Sequence, residues 1–330
     1  MTINFVGNFQ TGYVGEVADE THLARELEVH NHTVRRIPRD EWREHVLDGK
    51  DYPNIPKDLR ADINIICKWH HFEDGRFINY LRDTSGGAPV FYWVWDFMWD
   101  SGFPQWHIEM AKAADLYLSG ELGIFKVYQE QGIKPYYFQM DVCDGELPVF
   151  EQEEIKYDVV FTGSYLPQGN RIAFLKEIAK EVPLTIFSWN HEEWKKEGIP
   201  ATIYPAVYGA EYNRVIAQTN IVLGMSVEPY CYGYWSNRVG KVIAAGGFLL
   251  QEYGPGMETF LPNCVAYFNS AEGAIYKIKQ YLDNSEKIAR RKQGAQKIAK
   301  RFTSKTKMKQ LSFFLTRYLR GEPKLWNRLP

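Results

Sequence analysis

The stretch Tyr234 to Pro262, YWSNRVGKVIAAGGFLLQEYGPGMETFLP, decides how this chain folds. It opens on polar residues carrying Arg238, runs through an apolar helical segment closed by Gly246 and Gly247, and continues into a buried strand around Phe248 to Leu250. A Gly254-Pro255-Gly256 turn follows, and a second helix is predicted to open near Met257. That order aims a guanidinium, and a helix N-terminus with unbonded N–H groups, at one place beyond a strand's carboxyl end. Open α/β sheets take anionic ligands there. A nucleotide diphosphate is the expected anion.

Outward from this stretch, strand and helix patterns alternate along the chain, which argues for parallel sheets. In the first half, Ile3 to Gly7, Thr33 to Ile37, Ile63 to Cys67, Pro89 to Val94, Asp115 to Ser119 and Pro135 to Met140 read as strands. Helical spacing covers Ala18 to Asn31 and restarts near Pro104. The acidic, proline-bearing segment Asp141 to Lys156 has no clear period and reads as a linker. Beyond it the same grammar returns. Tyr157 to Gly163, Leu184 to Ser188, Asn220 to Met225, Phe248 to Gln251 and Cys264 to Phe268 are predicted strands; Asn170 to Lys180, Glu211 to Gln218 and Ser236 to Ala245 are predicted helices. The fold class is α/β, with two Rossmann-like halves and a cleft expected between them.

Composition narrows the function classes. The 330 residues suffice for two domains, and aromatics are abundant at 15%, with 10 Trp and 21 Tyr. No basic leader precedes the first strand, and no apolar run approaches the ~20 residues of a membrane span, so a soluble, cytoplasmic protein is expected. Cys67, Cys143, Cys231 and Cys264 are scattered without a CxxC pair and read as reduced thiols. Charge is uneven. Asn284 to Pro330 holds 14 Lys or Arg against Glu286 and Glu322, in a chain of net charge −2. Such a segment could hold DNA, RNA or an anionic membrane surface, or form two solvated amphipathic helices.

Four blocks together resemble the GT-B glycosyltransferases, and in particular their CgeB-type, spore-maturation-protein-like branch. They are TGYVGEVADETHLARELEVHNHTVRRI (Thr11 to Ile37), AADLYLSGELGIFKVYQEQGIKPYYFQMDV (Ala113 to Val142), YDVVFTGSYLPQGNR (Tyr157 to Arg171) and SNRVGKVIAAGGFLLQEYGPGMETFLP (Ser236 to Pro262). The resemblance implies an acceptor-binding domain over 1–145, a linker over 146–156 and a nucleotide-sugar domain over 157–310. A final helix, 311–330, is expected to cross back to the first domain. Retaining members often carry two glutamates, the second of which holds the ribose. On this register those positions are Gly233 and Lys241, so Lys241 is expected to contact phosphate or sugar instead. The implied co-substrate is a nucleotide sugar, first of all a UDP-sugar, with no further cofactor.

Glycosyl transfer needs charge neutralisation of the departing diphosphate, a base for the acceptor hydroxyl, and shape around the sugar. Arg238 is the leading phosphate ligand, because a guanidinium presents a rigid fork of donors. Ser236 and Asn237 either cap the helix or donate to the ligand. Gly254 and Gly256 let backbone approach the phosphates or simply turn the chain. Glu258 either contacts the sugar or complements the helix dipole. Ser164 and Arg171 form a second candidate phosphate contact.

For the base, Asp96 within FYWVWDFMWD and Asp19 near the first helix compete, with His22 behind them. No DxD-type motif appears, His70 and His71 are adjacent rather than helically spaced, and a metal-independent mechanism is expected. The cluster Trp93, Trp95, Trp99 and Trp106 offers indoles for stacking on sugar or base. Strand alternation puts Trp93 and Trp95 on one face, with one or two of the four expected to be exposed. Tyr13 and His71 complete the acceptor candidates. Acceptors carried forward include DNA bearing hydroxymethylated pyrimidines, while a nucleotide-sugar 2-epimerase and a non-catalytic scaffold on the same frame are the alternative classes.

Overall fold

The computed structural model describes residues 1–9, 18–67, 75–96, 104–140, 153–167, 170–227, 230–261 and 264–322. It holds two separate six-stranded sheets. The chain divides into two units, one of Met1–Met140 with Ser304–Pro330 and one of Asp141–Thr303.

In the first unit the strands are β1 (Thr2–Gly7), β2 (Thr33–Pro38), β3 (Ile63–Cys67), β4 (Val90–Val94), β5 (Leu116–Ser119) and β6 (Pro135–Tyr137), in the order β2-β1-β3-β4-β5-β6. Every neighbouring pair is parallel. β3 (INIIC) and β4 (VFYWV) are buried along their whole lengths, as continuous apolar runs are in a sheet covered on both faces. The helix Arg39–Asp48, which the sequence pattern did not disclose, starts after Pro38 and ends at Gly49 in the left-handed region (φ 67°). It buries Trp42 alone, so it has almost no apolar period to read.

The long helix Ser304–Leu319 belongs to this first unit and packs on the helix Asp19–Val29. It buries Met308, Leu311, Phe314 and Leu315. Phe314 and Tyr318 meet the Phe91 ring edge-on at 5.9 and 4.8 Å, and a His32 ring nitrogen shares a 2.6 Å hydrogen bond with Ser312 Oγ. The helix starts well before Leu311, because its first two turns, SKTKMKQ, are polar apart from Met308.

In the second unit the strands are β7 (Tyr157–Thr162), β8 (Leu184–Ser188), β9 (Thr202–Pro205), β10 (Thr219–Gly224), β11 (Leu249–Glu252) and β12 (Val265–Phe268). Their order is β12-β11-β10-β7-β8-β9, again parallel throughout. This is the doubly wound arrangement, in which the chain reverses its progress across the sheet between β7 and β10. A crevice opens at such a switch point, outside the carboxyl ends of the two strands. The core on this side includes Phe161, Ile186, Trp194, Leu223, Phe248 and Leu250.

The basic segment is shared between the units. The helix Ser285–Ile298 lies in the second and Ser304–Leu319 in the first. Among the described residues no helix is long and apolar enough to cross a membrane. Among the described residues, Cys67, Cys231 and Cys264 form no disulfide.

Candidate functional site

The site grows from the switch point of the second sheet. Gly163 and Ser164 leave the end of β7, and Met225 and Ser226 leave the end of β10. Two helices start beside them, Arg171–Glu181 and Arg238–Ala244, each with arginine as its first residue. Arg238 Nη1 donates to Met225 O at 3.1 Å and Arg171 Nη2 to the same carbonyl at 3.3 Å. Arg171 Nη1 also donates to Ser164 O at 3.2 Å. Both guanidinium carbons lie over the Phe161 ring, 5.1 Å (Arg238) and 5.7 Å (Arg171) from its centroid. Gly163 makes the room, since a Cβ there would stand 2.5 Å from Arg238 Nη2.

Two like charges over one ring, in a buried place, are an electrostatic debt. Arg171 is 6% exposed. Burial, and then the neighbouring Arg238 charge, push its pKa down to about 10, while Glu252 acts in the opposite direction. Burial also lowers Arg238. At about 10, Arg171 stays protonated at neutral pH. Among the described residues no carboxylate forms an ion pair with either one. Among the described residues, three buried donors of this strand edge also have no hydrogen-bond partner: Arg171 Nε, Ser226 Oγ and Ser236 Oγ. Buried donors of this kind are costly when left unmade, and a bound polyanion with many acceptor oxygens offsets that cost.

Of the residues read from the sequence, the structure brings Arg171, Arg238 and the backbone of Ser164 together. Ser164 contributes its carbonyl, and its side chain is exposed. Asn237 makes no side-chain cap and the Ser236 hydroxyl has no partner, so capping does not account for either. Lys241 is partly exposed in the same short helix. Gly254 and Gly256 are buried in a tight turn. Gly256 has φ 86°, and a Cβ on it would meet the Tyr232 ring at 2.6 Å. The helix after this turn, Met257–Phe260, is a single turn of 4 residues, too short to present the helix terminus expected there. Glu258 is exposed and accepts from Tyr253 Oη at 3.3 Å.

The candidates of the first unit are spread more widely. Asp96 is partly exposed just beyond the carboxyl end of β4, and Asp19 opens the helix Asp19–Val29. Trp93 and Trp95 do share a face, with ring centroids 4.8 Å apart, but they are 0% and 4% exposed. The stacking surface expected of these two indoles is therefore core, because β4 is covered on both sides. Tyr13, His71 and Trp99 lie outside the described residues, and Trp106 is half-buried.

Sequence reading missed three further features. Phe161, the shared platform of the two arginines, looks like any core residue of a strand. Trp189, 62% exposed just beyond β8, stands 6.4 Å ring to ring from Tyr208. Glu20 and Glu121 are buried carboxylates beside the ends of β1 and β5. Glu20 Cγ lies 2.9 Å from where a Gly7 Cβ would be, an approach no linear pattern reveals.

Two parallel doubly wound sheets with a final helix returned to the first unit define the GT-B fold. Solved structures of that fold are similar over nearly the whole chain. A glycosyltransferase from Rickettsia africae has 12% identity and a TM-score of 0.65, with 97% of this chain and 98% of that one covered. Anabaena HepE, solved with UDP and glucose, has 14% identity and a TM-score of 0.61, with 96% and 99% covered. An alpha-glucosyltransferase solved with UDP and a 13-mer DNA containing an HMU base has 13% identity and a TM-score of 0.63, with 96% and 99% covered. Residues 171–312 match the family described as glycosyl transferase-like. No curated protein matches the sequence.

Proposed function

We propose that this protein is a glycosyltransferase that takes a sugar from a nucleotide-activated donor, a UDP-sugar in the first place, within the CgeB-type branch. The observation that supports this best is the pair Arg171 and Arg238, converging on Met225 O beyond the β7–β10 switch point. As the bond between the sugar's anomeric carbon and the diphosphate oxygen breaks, negative charge grows on the leaving group. Two preplaced guanidiniums in a buried setting stabilise that charge more than water does. This is the work a divalent metal does elsewhere, so the reading is metal-independent. Ser236, Asn237 and Lys241 are assigned to the diphosphate and sugar, Gly254 and Gly256 to backbone approach, and Glu258 to the sugar. Trp189 offers the nucleobase a face. Asp96, with Asp19 as the alternative, is assigned to accept the proton of the acceptor hydroxyl.

A DNA acceptor is the second reading. The basic segment favours it through phosphate attraction. An alpha-glucosyltransferase of the same fold, solved with DNA, and a DNA-modifying beta-glucosyltransferase lend it further support.

The test is a thermal-shift panel of UDP, GDP, ADP, CMP, TDP and their common sugars on the wild type and on Arg238→Ala. A ligand that binds only the native state, at a hundredfold excess over Kd, adds about 2.7 kcal/mol. One selective nucleotide is expected to shift the wild type and to lose its effect in the variant. No shift with any nucleotide would sink the donor assignment and favour a scaffold. Conversion of the donor sugar without any acceptor would instead identify a 2-epimerase.

A further inference from the structure

We propose that the second unit carries a groove for the backbone of a nucleic-acid strand, between the helices Ala271–Leu282 and Ser285–Ile298. This groove of about 420 Å³ is lined by Gln280, Tyr281, Lys287, Arg290 and Arg291, three cations with no carboxylate among them. Arg291 is fixed in place. Its Nη1 donates to Val265 O at 3.4 Å and its Nη2 to Tyr281 Oη at 3.2 Å. Tyr281, accepting from Arg291, keeps its own hydroxyl proton to donate. Arg290 meets Glu286 at 3.5 Å, but both side chains are largely exposed, and such a pair contributes little and opens easily.

The placement works against the helix that carries it. Lys287 sits in the first turn of a 14-residue helix, where the dipole favours acids over cations. Arg290 and Arg291 follow it three and four positions later, and like charges at that spacing repel. A phosphate seated in the groove relieves both conflicts, and the Asn284 cap, whose Oδ1 accepts from Lys287 N at 3.1 Å, holds the turn while it is empty. Glu286, in the same first turn and paired with Arg290, offsets part of this opposition, and a bound phosphate relieves what remains.

The kind of partner follows from the neighbouring surface. The helix Ser285–Ile298 buries Ile288 and Ala295, and no large apolar side chain among its described residues is exposed for insertion into a bilayer. Tyr276, 63% exposed, stands beside the groove, its hydroxyl bonded by Gln280 Nε2 at 2.7 Å. Cations tracking a backbone, with an aromatic ring alongside for a base, is the combination single strands use. The groove extends the nucleic-acid acceptor reading by locating a backbone contact. Binding in it needs neither donor nor transfer, so the two ideas fail separately.

The experiment is fluorescence anisotropy with a short labelled single-stranded oligonucleotide and full-length protein, without donor. Three phosphate contacts predict an affinity about 20-fold weaker at about 200 mM than at about 50 mM salt. K287Q combined with R290Q is expected to weaken binding by about tenfold at the lower salt, a loss of about 1.4 kcal/mol. Arg291 is left intact because its contacts brace β12. K305Q combined with K309Q removes the same charge from the helix Ser304–Leu319 and is expected to change affinity by less than about twofold. An unchanged circular dichroism melt certifies both double variants as folded. Equal losses in the two variants, salt-independent binding, or capture of phosphatidylglycerol vesicles with no oligonucleotide bound would each overturn the groove.

Discussion

At the scale of the residue, the site depends on the missing side chain of Gly163. A Cβ there would stand 2.5 Å from Arg238 Nη2 and 2.8 Å from the Phe161 ring. The guanidinium is the end that can move, and moving it lifts Arg238 from Met225 O. Gly163→Ala is therefore expected to weaken UDP binding by about 1–3 kcal/mol, the range for a misplaced charge-assisted hydrogen bond, while the fold stays intact. Titration calorimetry of the variant checks this, and unchanged affinity would show that Arg238 does not touch the nucleotide.

Lys292 is a different case, in which burial pushes a side-chain ammonium down to about 8 as its Nζ donates to Ala217 O at 3.2 Å. Its folded pKa lies below its unfolded value, so the fold favours the neutral form. The ionised lysine costs stability at pH 7, and stability is recovered as pH rises from about 8 towards 10.5. Lys292→Met is expected to be more stable than wild type at pH 7 by about 1 kcal/mol. Urea melts of both proteins should show that difference shrinking by pH 10.

At the scale of the element, the helix Ser304–Leu319 closes the first unit. Phe314, 4% exposed, packs against Phe91 and, at 6.2 Å, Tyr136. Phe314→Ala is expected to cost about 3–5 kcal/mol. Amide exchange should then accelerate in β1 to β6 while β7 to β12 keep their protection; uniform acceleration through both sheets would contradict the assignment of this helix to the first unit.

Elements with a continuous apolar signal were legible in the sequence. β3 and β8 carry their own boundaries in INIIC and LTIFS, and Arg238 announces itself ahead of an apolar helix. Short helices such as Phe125–Glu130 and His191–Lys196 were not, since six residues are too few to establish a helical period. Alternation along β4 correctly paired Trp93 with Trp95. It could not tell that both faces of the strand are covered, which is a property of what packs on the sheet. The meeting of Arg171 with Arg238 was hidden for the same kind of reason: it is made by strand order, which places β10 beside β7.

At the scale of the whole molecule, the proposed anion site draws its residues from one unit alone. Nucleotide binding is therefore expected to raise exchange protection around Gly163 to Arg171, Met225 to Val227 and Tyr234 to Lys241. The segments of β1 to β6 should respond only when an acceptor is added. Hydrogen exchange with UDP alone and with UDP plus acceptor separates the two steps, and protection of β1 to β6 by UDP alone would count against the division of labour.

The return of the Ser304–Leu319 helix to the first unit also has a consequence for how the chain is made. A ribosome delivers β1 to β6 first, yet the helix that covers Phe91 is among the last residues described. All the strands of the second unit, by contrast, are delivered as one uninterrupted run. The half synthesised later is thus able to close before the half synthesised earlier, the reverse of the usual N-terminal-first order. During that interval Phe91 and its neighbours on the first sheet lack their covering helix, a stretch of exposed apolar surface of the kind that makes folding intermediates prone to aggregate.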